Sequence, residues 1–235
     1  MGGGAGVTPG DLGVTLIRVQ PRAKPSLAPH LRIRLLQSVN RVLARVYHDV
    51  QVSGATRLPR TGAAIVISNH ISSLDPLLIQ SVVDRPIAWM VAREYYEAPA
   101  LKWLFEGIQA IPVSRDGRDS SALRAAFRTL EAGRVLGIFP EGRIQLRPPA
   151  ILPFQSGVAM IAVRSGAPVI PVYQTGTTAG LSMVRAVLLP QFVRVRFGSP
   201  IDLKAQGFGG RDLTEAAQFL QSAVHQLQRQ PTAGQ

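Results

Sequence analysis

The chain has 235 residues, 46% hydrophobic and 17% charged, a balance that suits one sizeable α/β core and excludes a disordered chain. It contains no cysteine, which excludes disulfides, thiolate metal sites and a cysteine nucleophile. The formal net charge is +12, with nine Lys/Arg against two Asp in residues 1–60, so the N-terminal quarter attracts a polyanion: nucleic acid, an anionic membrane or a phosphorylated substrate.

Residues 1–29 include "PRAKPSLAPH" and read as an irregular arm. The opening "MGGGAGVTPGDLGV" lacks the basic start and apolar stretch of a signal peptide, and no apolar run reaches the ~18 residues of a spanning helix. The expected location is therefore cytoplasmic, without a transmembrane helix. Segment 30–49 shows helical spacing, with Leu31, Leu35, Val39, Leu43 and Val46 on one face and Arg32, Arg34, Arg41 and Arg45 flanking it. Two readings stay open: a helix packed on the domain with solvated arginines, or an interfacial helix with its apolar face toward acyl chains and its arginines toward lipid phosphates.

Residues 50–229 alternate strands and helices, followed by a short tail, 230–235. The apolar runs predict strands at 63–67, 87–92, 110–114, 134–139, 168–173 and 192–197. Helices are predicted over 76–83, parts of 94–105, 120–132, 157–164 and 212–228. Ser120 is the expected N-cap of its helix, and Gly133 follows the last helical residue. This alternation predicts a single α/β domain with a largely parallel central sheet flanked by helices. The segment "VLLPQFVRVRFGSP" (187–200) is expected to add a locally antiparallel piece.

In such a sheet, reactive groups gather where strands end and helices begin. "ISNHISSLDPLL" (67–78) places His70 and Asp75 there. Five positions along a continuous helix amount to ~140° of further rotation, so the two side chains would diverge. A tight loop would instead fold Asp75 back onto the ring. Asp75 before Pro76 reads as an N-cap with proline at the first helical position. A carboxylate on one ring nitrogen leaves the other free to take a proton from a hydroxyl. The plain alternative is a loop histidine beside a capping aspartate. "GIFPEGRI" (137–144) puts Glu141, Gly142 and Arg143 at a second strand end, and Arg115 closes "AIPVSR" (110–115) at a third. Two arginines converging on one pocket would clamp a phosphate bidentately; the bland reading is a turn with surface ion pairs.

In order and spacing, these blocks resemble the glycerolipid acyltransferases, the 1-acylglycerol-3-phosphate acyltransferase-like family. "NHISSLD" resembles its first block, "AIPVSR" its second, "FPEG" its third and "VIPV" (169–172) its fourth. The resemblance covers roughly residues 50–200. It implies an α/β fold and a catalytic pair His70 and Asp75. It also implies acceptor binding by Arg115, Glu141, Gly142 and Arg143. Glu141 is expected to order the arginines or a hydroxyl. Acyl-CoA or acyl carrier protein would donate the acyl chain and a lysophospholipid at a membrane surface would accept it, with no cofactor or metal. The chain would then sit peripherally on the cytoplasmic face of a membrane and serve phospholipid synthesis. Three departures bear on the acceptor head group. Arg143 follows Gly142 directly where the family has Thr or Ser first, Ser114 replaces a common aspartate, and Gln155 in "PFQSG" stands where many members have lysine. The first resembles enzymes acting on lysophosphatidylethanolamine.

Other classes fit less well. Ser68, Ser72 and Ser73 surround His70, but no Gly-x-Ser-x-Gly elbow occurs. No lysine follows a glycine, so there is no P-loop, and no paired-histidine spacing suggests a metal site. Nucleic-acid binding would suit the charge, but aromatics are only 6% and no stacking or groove-reading motif is present. A catalytically inactive module binding anionic membranes remains the alternative from a different class.

Overall fold

The computed structural model describes residues 27–54, 58–114, 119–147 and 151–230. The expected arm up to residue 26, Arg115 and the tail from residue 231 lie outside the described residues. The first half runs α1 (Leu27–Val46), β1 (Asp49–Gly54), β2 (Ala64–Ser68), α2 (Asp75–Ser81), β3 (Ile87–Ala92), α3 (Arg93–Tyr96), α4 (Pro99–Gly107) and β4 (Ile111–Val113). The second half runs α5 (Ser120–Glu131), β5 (Val135–Ile138), α6 (Ser156–Ser165), β6 (Val169–Thr175), α7 (Met183–Leu188), β7 (Phe192–Phe197) and α8 (Leu213–Arg229).

The seven strands form one sheet in the order β1-β7-β6-β2-β5-β3-β4, every neighbouring pair parallel except β6 with β7. β2 is buried along its whole length because both faces are covered. Its side chains alternate between two cores. Ile65 and Ile67 pack among residues of α5, α6 and α8, while Ala64 and Val66 pack with Leu78 and Ile79 of α2 and Ala186 of α7. The expected α/β domain is thus the observed one, including the antiparallel piece at β7. No described helix is long and apolar enough to cross a membrane.

Two elements escape the sequence pattern. β1, "DVQVSG", is an exposed edge strand with little apolar content, and α7 spans only six residues. A third difference concerns a cap. Ser120 is the first helical residue of α5, and Asp119 is the N-cap, accepting from the backbone N–H groups of Ser121 and Ala122 at 3.0 Å. Carboxylate and hydroxyl both suit that position, and the carboxylate one residue earlier takes it.

α1 resolves into two faces. Ala44 is buried, and Asn40 donates from Nδ2 to the Leu77 carbonyl at 2.7 Å, so this face docks on α2. Leu35, Val39, Val42 and Val46 are exposed. The apolar stripe read from the sequence is therefore mainly the outer face. Arg41 pairs with Asp84 at 3.2 Å, whereas Arg34 and Arg45 are exposed. Between α1 and β1, His48 is buried, and neither ring nitrogen has a hydrogen-bond partner among the described residues. Burial pushes its pKa below the ordinary 6.5.

Candidate active site

His70 sits just beyond the end of β2, and a lattice of buried polar bonds fixes its backbone. The preceding residue, Asn69, is buried and pairs with Gln174 near the end of β6. Its Nδ2 donates to the Gln174 carbonyl and its Oδ1 accepts the Gln174 N–H, both at 2.9 Å. A side-chain amide thus continues the β2–β6 ladder for one more rung, satisfying backbone groups that would otherwise be orphaned. The His70 N–H donates to Glu141 Oε1 at 2.9 Å, and its carbonyl accepts from the Gln145 N–H at 2.6 Å.

The imidazole is held from two sides. Its Nδ1 lies 3.0 Å from Asp75 Oδ2. The same oxygen accepts the N–H groups of Ile71 at 2.7 Å and Ser72 at 2.8 Å, so the tight loop does fold Asp75 back onto the ring. Asp75 is not the N-cap of α2, as the Asp-Pro pair suggested. Leu74 occupies that position, and Asp75 is the first helical residue, fully buried. Its carboxylate turns toward the loop and takes up the loop's backbone donors. An ionised Asp75 accepts from Nδ1–H, which leaves the lone pair on Nε2. On its face, the His70 ring stacks on Phe139 with centroids 4.0 Å apart, and Phe139 stacks on Trp89 at 4.8 Å. Gly137 makes this column possible. It lies opposite Trp89 in the β3–β5 register, and a Cβ there would come within 2.4 Å of the indole.

Glu141 has a different place from the one expected. It is buried and accepts backbone N–H groups of His70 and Leu152, the latter at 3.0 Å, and forms no ion pair among the described residues. It ties two loops to the end of β2 and pairs with no arginine among the described residues. Burial raises its pKa above the ordinary carboxylate value, against the two N–H bonds and the nearby His70, which pull it down. Gly142 follows with φ of +71°, and a Cβ would meet the Gln155 amide at 2.3 Å. The left-handed φ is what favours glycine here, since the Gln155 amide is the mobile end of its side chain.

These residues border a cleft of about 520 Å³. His70, Ser73, Gly142 and Arg143 line it together with apolar side chains that include Met90 and Ile161. The His70 side chain is 17% exposed; with Nδ1 against Asp75, Nε2 is the nitrogen on the cleft side. Arg143 is exposed on the cleft and has no ion pair among the described residues. Arg115 itself is outside the described residues, but Ser114 and Asp119 on either side of it line the cleft. Asp119 is held far below the usual carboxylate range, chiefly by the Ser121 hydroxyl and then by the N–H groups of Ala122 and Ser114. It also pairs with Arg93 at 3.1 Å, so one carboxylate joins the ends of β3 and β4 to the start of α5.

The nearby serines form no nucleophile–base pair with His70. Ser68 donates to Asn69, Ser72 accepts from the Leu74 N–H, and Ser73 Oγ is buried without a partner among the described residues. Among the described residues, no cluster of His, Asp or Glu is arranged to hold a metal ion. Of the six residues that the sequence marks, His70, Asp75, Glu141, Gly142 and Arg143 lie at this edge, and Arg115 is outside the described residues. Asn69, Gln174, Phe139 and Trp89 also belong to the site and are not among those six. Only Asn69 and Phe139 carried a signal, since each adjoins a quoted motif residue.

A family model described as Acyltransferase matches residues 49–175. The chain is similar to the 1-acyl-sn-glycerol-3-phosphate acyltransferase of Bacillus subtilis, 23% identical over 146 residues that make up 62% of this chain and 72% of that protein. It is 34% identical over 127 residues to the 1-acyl-sn-glycerol-3-phosphate acyltransferase alpha of Mus musculus, which is 52% of this chain but only 44% of the mouse protein. Among solved structures, it is similar to the 1-acyl-sn-glycerophosphate (LPA) acyltransferase of Thermotoga maritima. That match has a TM-score of 0.69 at 26% identity and covers 88% of this chain and 83% of the other.

Proposed function

The chain belongs to the Acyltransferase family, and on that premise we propose that it moves a fatty acyl chain from a thioester to the free hydroxyl of 1-acylglycerol-3-phosphate, giving phosphatidate. The donor is acyl-CoA or acyl carrier protein. The observation that carries the proposal is the 3.0 Å contact of His70 Nδ1 with Asp75 Oδ2, which directs Nε2 toward the cleft. His70 Nε2 takes the acceptor's hydroxyl proton as the oxygen attacks the thioester carbonyl. The tetrahedral intermediate then expels the thiolate, which recovers the proton from His70. Such general-base help is worth about 10²–10⁴-fold. Asp75 holds the tautomer and offsets the charge that develops on the ring. The Phe139 face against the imidazole adds cation–π support while that charge exists. No cofactor is needed, because the thioester is already activated.

Arg143, with Arg115, supplies the cationic donors for the acceptor phosphate. The apolar lining of the cleft suits an acyl chain. The acceptor is amphiphilic, so the reaction takes place at a phospholipid surface. There the exposed stripe of α1 meets acyl chains while Arg34 and Arg45 meet anionic head groups, each basic residue contributing about 1 kcal/mol.

One observation favours a second head group. Gln155, packed against Gly142, lines the cleft as a neutral amide and adds no positive charge there. A site with less positive charge suits lysophosphatidylethanolamine. The test is purified protein with labelled acyl-CoA and a panel of lysophosphatidate, lysophosphatidylethanolamine and lysophosphatidylcholine. Lysophosphatidate is expected to be acylated fastest. Faster labelling of the ethanolamine lipid would replace the head-group assignment, and no labelling of any acceptor would reduce the protein to a membrane-binding module.

A further inference from the structure

The reversal of one strand brings a distant part of the chain to the catalytic edge. β7 runs antiparallel to β6, with Arg194 opposite Thr175, so β7 begins at the edge where β2, β5 and β6 end. Phe192, its first residue, is 76% exposed there. Just before it, α7 buries Ala186 against the sheet and leaves Val184 and Leu188, one turn apart, 68% and 64% exposed. A short surface helix ordinarily turns its polar side to water, and this one presents aliphatic side chains. Met183, at the start of α7, lines the cleft that holds His70, so the ridge runs into the cleft mouth. At its other end, the Tyr47 hydroxyl donates to the Leu188 carbonyl, joining the ridge to the end of α1.

The charge around the ridge is positive. Arg185 and Arg194 are exposed and have no ion pair among the described residues, and Arg45 near the end of α1 is exposed as well. Against them stands Asp49, in register with Phe192. A second copy of this chain would bring the same positive surface and be repelled. An anionic bilayer supplies both what the aliphatic side chains lack and what the arginines attract.

We propose that the Val184–Phe192 ridge is a lipid-docking surface in its own right, separate from the outer stripe of α1. It seats the catalytic edge on an anionic bilayer, so that an amphiphilic substrate passes from the membrane into the cleft without crossing water. The inference rests on the lysophospholipid reading for its purpose, but its test does not depend on turnover.

The test uses the full chain with vesicles of phosphatidylglycerol and phosphatidylcholine, and with phosphatidylcholine alone. The double variant Leu188→Gln, Phe192→Gln is expected to lose on the order of tenfold or more in partitioning to the anionic vesicles, with an unchanged melting temperature. A single Phe192→Trp variant is expected to be quenched by brominated lipid when bound. The double variant keeps wild-type transfer to a short-chain lysophosphatidate below its micellar concentration. Unaltered partitioning of the double variant, or no quenching of the tryptophan in vesicle-bound protein, overturns the proposal. So does a changed oligomeric state in the variant with vesicle binding intact, which would make the ridge a protein interface. Absence of turnover by wild type on the soluble acceptor would instead overturn the acyl-transfer reading and leave the docking result standing.

Discussion

Two regions meet at the same edge of the sheet and are built in opposite ways. Around His70, three buried polar side chains are each held more than once: Asn69 by Gln174, Asp75 by two backbone N–H groups and the imidazole, Glu141 by two loops. Along α1 and α7, large aliphatic side chains stand in solvent with few ties. Position at the strand ends is fixed because chemistry fails when a base moves by an ångström. On the proposed docking, the flank needs only area and charge, since a bilayer is a fluid partner. Substitutions in the first region should therefore change turnover, and those in the second should change recruitment.

The largest effect is expected from His70→Ala. Transfer should fall by about 10²–10⁴-fold, while the melting temperature and vesicle binding stay near wild type because the ring is partly exposed. A variant that lost stability and kept turnover would merge the two regions into one structural role. Phe139→Leu comes next. It removes the π face from His70 but keeps a bulky apolar side chain against Trp89. Cation–π support of about 0.5–2 kcal/mol corresponds to a fall in kcat of a few-fold to about thirtyfold, with the acceptor KM unchanged. Steady-state kinetics separate this from a packing defect, which Phe139→Tyr should then rescue.

Arg143→Ala should raise the acceptor KM, with less effect on kcat, if the phosphate contact is equal in ground and transition states. Arg115→Ala should behave alike. An unchanged acceptor dependence in both would return them to ordinary surface charges. The smallest effect belongs to His48, under α1 and away from the chemistry. Its folded pKa lies below 6.5, so below that pH the unfolded chain binds a proton that the native state refuses. Stability is present above 6.5 and is lost as pH falls through it. Melting curves should show wild type losing more stability than His48→Leu on acidification below 6.5. Equal losses would mean that the imidazole is not kept neutral by the fold.

Much of the scaffold is legible because buried strands are apolar runs: "AAIVI" and "PVIPVY" could hardly be anything else. β1 and α7 are not, since an edge strand and a six-residue helix need little apolar content and take their stability from neighbours. His70 and Asp75 are legible as a pair, but the cap assigned to Asp75 was wrong in kind. Local spacing identified a helix start, while three donors in the preceding loop decided where the carboxylate points. The column His70–Phe139–Trp89 joins residues just beyond the ends of β2 and β5 to one within β3, a juxtaposition that exists only once the sheet order is known. For α1, the sequence marked the right stripe and left its direction open. The docking bond from Asn40 to Leu77 shows that the other face turns inward.

The central claim is direct transfer with His70 as base and no acyl-enzyme. The measurement that tests it is a rapid acid quench of wild type and His70→Ala, each mixed with radiolabelled acyl-CoA with and without lysophosphatidate. Direct transfer predicts label in phosphatidate only, appearing with wild type and acceptor together, and no label on protein at any time. Label bound covalently to wild-type protein before the acceptor is added would contradict it.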